Sequence, residues 1–320
     1  MNRIIPFFNI IRFKNLVIII LTQYLIKYSL INYFVNDFVL SDFNFSLLVF
    51  ATILITAAGY IINDIYDVNT DKINKNDSVI IDKYISTKQA MWWYFSFNIV
   101  GLAIGVYLAF IIGIPILSVI FIYSIYSLWT YSKKFKKTLL IGNIQVAFLT
   151  AICILNIALF DILPNGIVSD NGELITFKII TYYAGFSVLI TLIREIMKDI
   201  EDYTGDLATN AKTLVITYGI RNAKKLTMLF IVIIFTFIAY IQYFQYSVLS
   251  SEFEYDISIW AVNNIAIIYI ICIQLLFVYL CLKIYNATHK KDFYFISQLC
   301  KFIMIFGILS IPLFTYLHLN

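Results

Sequence analysis

The chain has 320 residues, of which 61% are hydrophobic and only 13% are charged, and its mean hydropathy is +0.86. Soluble domains carry about 25% charged residues, so this composition excludes a soluble globular protein. The four cysteines lie in apolar segments without metal-ligand spacing, and only two histidines are present, which argues against a Cys or His metal centre. The net charge of +4 is not informative until the charges are placed on loops. We predict neither a nucleic acid nor a protein as a partner.

Nine apolar runs are each long enough to cross a bilayer as a helix, for which about 20 residues suffice. They cover residues 15–36, 44–66, 90–112, 114–132, 138–160, 176–198, 224–247, 257–285 and 294–317. No soluble domain of useful size fits between them. We therefore predict an all-α polytopic membrane protein in which residues 1–320 form a single transmembrane domain.

Positive charges fall in alternate loops along the chain. The N-terminal tail and the loops after the second, fourth, sixth and eighth runs hold 19 of the 23 Lys and Arg residues. The other loops carry acidic residues instead, namely Asp37, Asp42, Asp161, Asp170, Glu173, Glu252, Glu254 and Asp256. The positive-inside rule therefore predicts a cytoplasmic N-terminus and a C-terminus outside. The N-terminal tail lacks the pattern of a cleaved signal peptide. The high content of Ile, Asn and Lys suggests a bacterial protein, so we predict the bacterial inner membrane as its location and membrane lipids as its surroundings.

The second apolar run leads directly into a polar stretch, Asn63-Asp64-Ile65-Tyr66-Asp67-Val68-Asn69-Thr70-Asp71. Asn63, Asp67 and Asp71 are spaced by four residues, so on a helix they form one stripe about 12 Å long. Asp64 would point about 100° away from this stripe and is a weaker candidate. Polar side chains at a membrane edge mark functional sites by default, so we read the stripe as half of a binding site.

A second acidic group follows the sixth apolar run. Asp199, Asp202 and Asp206 have the spacing i, i+3, i+7, which again places them on one helix face. Carboxylate and amide oxygens suit Mg²⁺, whereas zinc would favour Cys or His. Two Mg²⁺ ions bridging a diphosphate would remove the repulsion between the acidic groups and stabilise charge on a leaving diphosphate. We therefore predict a metal set of Asn63, Asp67, Asp71, Asp199, Asp202 and Asp206, of which Asp67, Asp71, Asp202 and Asp206 are essential for catalysis.

Basic residues beside the two acidic groups are candidates for binding phosphate oxygens. They are Lys72, Lys134, Lys136, Arg194 and Lys198. A cytoplasmic lysine can equally set the topology or contact anionic lipid, and that alternative stays open for Lys133 and Lys137. Aromatic faces can stabilise a cation, and the candidates near the two groups are Tyr60, Tyr66, Tyr123, Tyr126, Tyr131, Tyr182, Tyr183 and Tyr203.

Together these motifs resemble those of the UbiA superfamily of intramembrane prenyltransferases. The stretch from Asn63 to Asp71 matches the family's first motif, N-D-x-x-D-x-x-x-D, at every position. The stretch from Lys198 to Asp206 resembles its second aspartate motif, and residues 131–136 with Gly142-Asn143 resemble its segment between the fourth and fifth helices. Arg12-Phe13-Lys14-Asn15 is similar to the R-P-x-N sequence that begins the family's first helix.

The resemblance implies a bundle of nine helices around a central cavity, with two Mg²⁺ ions and a prenyl diphosphate held between the motifs. Ionisation would give an allylic cation in a pocket that includes Tyr66, Tyr131, Tyr203 and Asn15, and an acceptor would attack this cation. The second motif leans towards an enzyme like geranylgeranylglycerol-phosphate geranylgeranyltransferase. An aromatic or quinone-precursor acceptor stays open, and haem O synthesis is less favoured.

Two other classes of function are weaker. A cation transporter would place its carboxylates near the bilayer midplane and show inverted repeats, whereas these carboxylates lie at helix ends beside lysines. A non-catalytic relative of the family would be expected to lack motif aspartates, and none is missing.

Overall fold

The computed structural model describes residues 4–35, 39–74, 79–165, 171–247 and 263–319. Within these ranges nine helices are long and apolar enough to cross a membrane, and no strand forms, which confirms the all-α prediction. The helices are α1 (Phe13–Phe34), α2 (Asp42–Asn74), α3 (Thr87–Ile111), α4 (Ser118–Lys133), α5 (Ile141–Asp161), α6 (Asn171–Glu201), α7 (Leu214–Ser247), α8 (Asn264–Asn286) and α9 (Lys290–Leu319). Short helices at Ile4–Ile10 and Tyr203–Ala208 precede α1 and follow α6.

Both acidic motifs begin on helices that continue beyond the apolar runs. The second run was predicted to end at residue 66, yet α2 continues to Asn74, and α6 likewise continues to Glu201. The charged ends of these helices therefore project from the apolar part of the bundle. Several loop charges used to predict the topology lie outside the described residues, namely Asp37, Lys75, Asp170, Glu252, Glu254 and Asp256.

Local sequence signals explain the main breaks in the helices. Gly113 has a φ of 78°, in the left-handed region that favours glycine, and together with Pro115 it turns the chain from α3 into α4. Gly219 has a φ of 82° and kinks α7 near its start. Ser86 caps α3 by accepting a hydrogen bond from the Gln89 backbone N–H.

The apolar residues form two main buried clusters, one among α1 to α6 with Ile311 of α9 and one among α6 to α9, so α6 and α9 take part in both. Gly105 lets α3 approach α4 closely, because a side chain there would overlap the Phe121 ring. Large apolar side chains such as Trp92, Phe110 and Leu275 remain exposed on the outer faces. In a chain of this hydropathy, such faces contact lipid.

A buried ion pair lies at the end of the bundle opposite to the acidic motifs. The Lys27 Nζ atom lies 2.5 Å from Asp161 Oδ2, and both side chains are 0% exposed. The backbone N–H of Leu40 donates to the other carboxylate oxygen, Asp161 Oδ1. The prediction that Asp161 is a loop residue on the outer surface was therefore wrong: it ends α5 and neutralises a lysine of α1, and Glu173, also predicted in a loop, lies in the first turn of α6.

Candidate active site

The two acidic motifs meet at one end of the bundle, although they are far apart in sequence. Asn74, the last residue of α2, joins them directly. Its Nδ2 donates to the carbonyl of Asp202 at 3.1 Å, and its Oδ1 accepts from the Gly205 N–H at 2.8 Å and from Thr204 Oγ1 at 3.0 Å. Glycine at position 205 leaves room for the Asn74 amide, which a side chain there would overlap and displace.

The first motif forms the stripe that its spacing predicts. Asn63 and Asp67 are buried, and Asn63 Nδ2 donates to Asp67 Oδ2 at 2.7 Å. Lys136, from the turn between α4 and α5, forms an ion pair with the same Asp67 oxygen. Asp64 points to another face and pairs with Arg12 at 3.1 Å, as its position on the helix predicts.

The second motif spans the junction between α6 and the short helix Tyr203–Ala208. Asp199 accepts a hydrogen bond of 2.8 Å from Asn143 Nδ2 on α5. Asp202 is the residue that precedes the short helix, and Asp206 is buried within it. The Lys212 N–H donates to the Lys137 carbonyl at 2.9 Å, which ties the following loop to the loop that carries Lys136.

Buried charges of opposite sign determine the electrostatics at the edge of the site. Burial disfavours the ammonium of Lys136, but the attractions of Asp67, Tyr131 and Asp71 together outweigh burial and raise the pKa of Lys136. Burial also raises the pKa of Asp206 to about 6, against the opposing effect of Lys136. Burial likewise lowers the pKa of the Arg12 guanidinium, but Asp64, Tyr60 and Asp67 together outweigh burial and raise it.

The polar atoms of the site suit a hard cation. Asn63 Oδ1 is buried and has no hydrogen-bond partner within the described residues, so an amide oxygen is left available beside the Asp67 carboxylate. This donor set is the one that Mg²⁺ prefers. Across the described parts of the chain, however, no three His, Cys, Asp or Glu side chains lie close enough to hold an ion together. Asp67 is turned to Asn63 and Lys136.

A cavity of about 230 Å³ opens beside the two motifs. Its polar mouth includes Asn15, Tyr60, Asn63, Tyr131 and Lys136, and its inner part is lined by apolar side chains such as Ile19, Ile55, Phe121 and Leu149. A second cavity of about 220 Å³ is almost wholly apolar and shares part of its lining with the first, including Ile18, Ile19, Cys153 and Met304. The arrangement can hold a molecule that has an anionic head and a long apolar tail.

Four basic side chains line the mouth on the side of α1, α6 and α9. We call Arg12, Arg194, Lys198 and Lys301 the cation group. Arg194 and Lys198 both lie against Glu195, with Lys198 Nζ at 4.0 Å, and Lys301 donates to Asn15 Oδ1 at 3.1 Å. Asn15 in turn donates to the Tyr60 hydroxyl at 3.3 Å.

Several predicted site residues lie outside this arrangement. Tyr66 is 42% exposed because it lies about 100° around α2 from Asp67, and Tyr203 packs in the apolar cluster of α6 to α9 rather than lining the cavity. Lys72 and Lys134 are exposed, and Lys134 lies over the Phe135 ring at 5.8 Å. Tyr131 and Asn15, in contrast, line the mouth of the cavity.

Asn74 and Lys301 were not predicted as site residues. Asn74 follows Asp71 at i+3, so the continuing helical period was a usable signal for it. Lys301 lies inside the ninth apolar run, where a lone lysine is costly in lipid and normally faces the bundle interior. The cost of exposing this lysine to lipid was the sequence signal that Lys301 faces the interior of the bundle.

Comparison with known proteins adds independent information. A model of the UbiA prenyltransferase family matches residues 29–299. The chain is 40% identical over 183 residues to a Saccharolobus solfataricus protein named digeranylgeranylglyceryl phosphate synthase. That alignment covers 57% of this chain and 59% of the relative, so less than two thirds of the relative's length is matched.

Two solved structures share the fold over almost the whole chain. One concerns digeranylgeranylglyceryl phosphate synthase in membranes, with a TM-score of 0.66, 22% identity and coverage of 98% of this chain and 99% of that one. The other is a UbiA homologue from Archaeoglobus fulgidus bound to GPP and Mg²⁺, with a TM-score of 0.54, 13% identity and coverage of 96% and 99%. At these identities the likeness concerns the fold alone.

Proposed function

The chain belongs to the UbiA prenyltransferase family, and from this premise we propose that it transfers a prenyl group from a prenyl diphosphate to a membrane-associated acceptor. We propose geranylgeranylglyceryl phosphate as the acceptor, because the Saccharolobus relative is named digeranylgeranylglyceryl phosphate synthase. This acceptor is also the one that the second aspartate motif favours.

One observation carries the proposal. The two motifs, joined through Asn74, meet beside Lys136 at the mouth of a cavity whose inner part is apolar. A prenyl diphosphate has the matching form, since its charged head needs cations and carboxylate-bound metal while its hydrocarbon tail needs an apolar chamber. A cation transporter would need neither the chamber nor the family motifs.

The residues that would hold Mg²⁺ are Asn63, Asp67, Asp71, Asp199, Asp202 and Asp206. Bound there, Mg²⁺ would neutralise the diphosphate and so stabilise the charge that it acquires on leaving. The Archaeoglobus homologue is described as bound to GPP and Mg²⁺, and the use of two ions is part of our proposal.

The chain's own side chains then have distinct tasks. Lys136 binds a phosphate oxygen of the donor, exchanging part of its ion pair with Asp67 for the substrate. As the bond between the diphosphate oxygen and the prenyl carbon breaks, the electron pair leaves with the diphosphate. Tyr60 and Tyr131 at the mouth offer π faces to the allylic cation, and the apolar chamber keeps water from capturing it. The acceptor hydroxyl oxygen then bonds to the prenyl carbon, and its proton passes to the departing diphosphate.

The placement in the membrane is also a proposal. The end of α2 that carries Lys72 and the loops that carry Lys136 and Lys212 lie where the motifs meet, and Asp161 lies at the opposite end of the bundle. The positive-inside rule would make the motif end cytoplasmic. The bacterial inner membrane stays a prediction from composition.

The test is a transfer assay with purified protein. The protein in lipid nanodiscs would be mixed with Mg²⁺, radiolabelled prenyl diphosphates of different length, and a panel of acceptors that includes geranylgeranylglyceryl phosphate, 4-hydroxybenzoate and a quinone precursor. We expect an ether product from geranylgeranyl diphosphate and geranylgeranylglyceryl phosphate. Transfer only to an aromatic acceptor would refute the proposed acceptor, and consumption of no prenyl diphosphate would refute the proposed reaction.

A further inference from the structure

The cation group brings four positive charges from three separate elements to one wall of the cavity. Arg12 precedes α1, Arg194 and Lys198 lie on α6, and Lys301 lies on α9. Their convergence is not a by-product of one charged helix face. It depends on the packing of the first, sixth and ninth membrane helices.

The carboxylates in contact with the cation group do not balance its charge. Within the described residues these are Asp64, which pairs with Arg12, and Glu195, which contacts Arg194 and Lys198. The contact of Lys301 is with the neutral amide oxygen of Asn15. An excess of two positive charges therefore lies on the cavity wall, where a surplus charge is costly unless a ligand compensates it.

A donor atom in the group also lacks its acceptor. The Nε of Arg194 is buried and has no hydrogen-bond partner within the described residues. A buried guanidinium N–H without an acceptor costs free energy, and such an atom in a binding cavity marks the place of a ligand oxygen. The charge excess and the free N–H both point to an anionic ligand with several oxygens.

From these contacts we propose that the cation group binds the phosphate monoester of the acceptor lipid, an inference that rests on the proposed function. A phosphate monoester carries close to two negative charges at neutral pH, which matches the excess, whereas a carboxylate carries one. The apolar part of the same cavity, lined by Ile18, Ile19 and Met304 beside this wall, would take the start of the lipid tail.

The donor diphosphate has separate cationic support. Lys136 forms its ion pair with Asp67 of the first motif, and it comes from the turn between α4 and α5, which contributes nothing to the cation group. Arg194 and Lys198, which the sequence predicted for the diphosphate, lie against Glu195 in the cation group, and we assign them to the acceptor phosphate. The two anionic heads would thus be bound on different walls, and the reacting carbon and the acceptor hydroxyl would meet between them.

The test combines the substitution of one side chain with the removal of one group, the phosphate, from the acceptor. Initial rates would be measured for the intact protein and for Lys301→Gln, with geranylgeranyl diphosphate as the donor. The acceptor would be either geranylgeranylglyceryl phosphate or the alcohol that lacks its phosphate. Lys283→Gln is the matched control, because Lys283 is an exposed lysine near the same end of the bundle that lies over Tyr279, outside the cavity.

We expect Lys301→Gln to raise the KM for the phosphorylated acceptor by about 10- to 100-fold, the effect of losing a charge-assisted hydrogen bond. The KM for the donor should stay the same, and the dephosphorylated acceptor should react equally poorly with both proteins. Lys301→Arg should restore most of the affinity. If Lys301→Gln does not fold, Lys198→Gln carries the same comparison.

Two results would overturn the inference. One is an equal rise in the KM of the donor, which would assign the cation group to the diphosphate. The other is an unchanged preference for the phosphorylated acceptor in Lys301→Gln. Calorimetry of geranylgeranylglyceryl phosphate binding without the donor separates a failure of this inference from a failure of the proposed function. Weaker binding to Lys301→Gln would support the phosphate site even if no transfer occurs. Unchanged binding to the variant would refute the phosphate site.

Discussion

Replacing Asn74 by alanine tests whether the two aspartate motifs act as one site. The substitution removes three hydrogen bonds, to the Asp202 carbonyl, the Gly205 N–H and the Thr204 hydroxyl. Each neutral hydrogen bond contributes about 0.5–1.5 kcal/mol, and since Asn74 is only partly buried we take a total of about 2 kcal/mol. A loss of that size corresponds to about a 30-fold change in the population of the aligned arrangement.

The effect should appear mainly in the use of metal, because Asn74 orders the backbone that carries Asp202 and Asp206 and leaves every proposed ligand in place. We expect Asn74→Ala to raise the Mg²⁺ concentration for half-maximal rate and to lower kcat/KM by about 10- to 100-fold at limiting Mg²⁺. Excess Mg²⁺ should recover part of the rate. The measurement is a Mg²⁺ titration of prenyl transfer by purified protein in nanodiscs.

Two further variants make this titration decisive. Asn222→Ala removes an exposed asparagine whose side-chain hydrogen bond, within the part of the chain that the structure describes, is to the Tyr218 carbonyl of its own helix, and it should leave the titration unchanged. Gly205→Ala places a methyl group against the Asn74 amide and should reproduce the defect by another route. If Asn74→Ala showed the same Mg²⁺ dependence and rate as the intact protein, the proposed alignment of the motifs would be refuted.

The remaining predictions concern the metal, the buried ion pair and the orientation. Asp67→Ala should abolish transfer in a protein that still elutes as a folded species, and EDTA should stop the intact enzyme until Mg²⁺ is restored; turnover that survives both treatments contradicts the metal role. Lys27→Met or Asp161→Leu alone should destabilise the fold by about 3–5 kcal/mol, and the double variant by much less; additive losses in Tm would argue against a coupled pair. A cysteine at Lys134 should react with an impermeant reagent from the cytoplasmic side and one at Ser41 from the outside, and the reverse pattern would overturn the orientation.

The helical stripes were accessible from sequence because their pattern is local. Asn63, Asp67 and Asp71 repeat with the period of the helix, so their shared face follows from spacing alone. The same period places Tyr66 elsewhere, and its inclusion in the pocket followed from proximity in sequence. The correction came from the structure, which exposes Tyr66 on another face of α2.

Contacts between distant residues were not accessible in this way. Lys301 and Asn15 are separated by 286 residues, and no spacing rule relates positions on the first and ninth helices. The ends of the apolar runs were also misleading, because hydropathy stops at the lipid boundary whereas the backbone hydrogen bonds of α2 continue to Asn74. Hydropathy thus predicts the membrane-spanning segments, but which polar residues come into contact depends on how the helices pack against one another.

The ion pair between Lys27 and Asp161 also imposes an order on biosynthesis. Its partners are 134 residues apart, which at about 5–20 residues per second corresponds to roughly 7 to 27 s of translation. During this interval α1 has already left the ribosome, yet its contact with the end of α5 cannot form. The contact that neutralises Lys27 can therefore form only after the fifth helix has been made, so the lysine of α1 must wait for its partner while four further helices are synthesised.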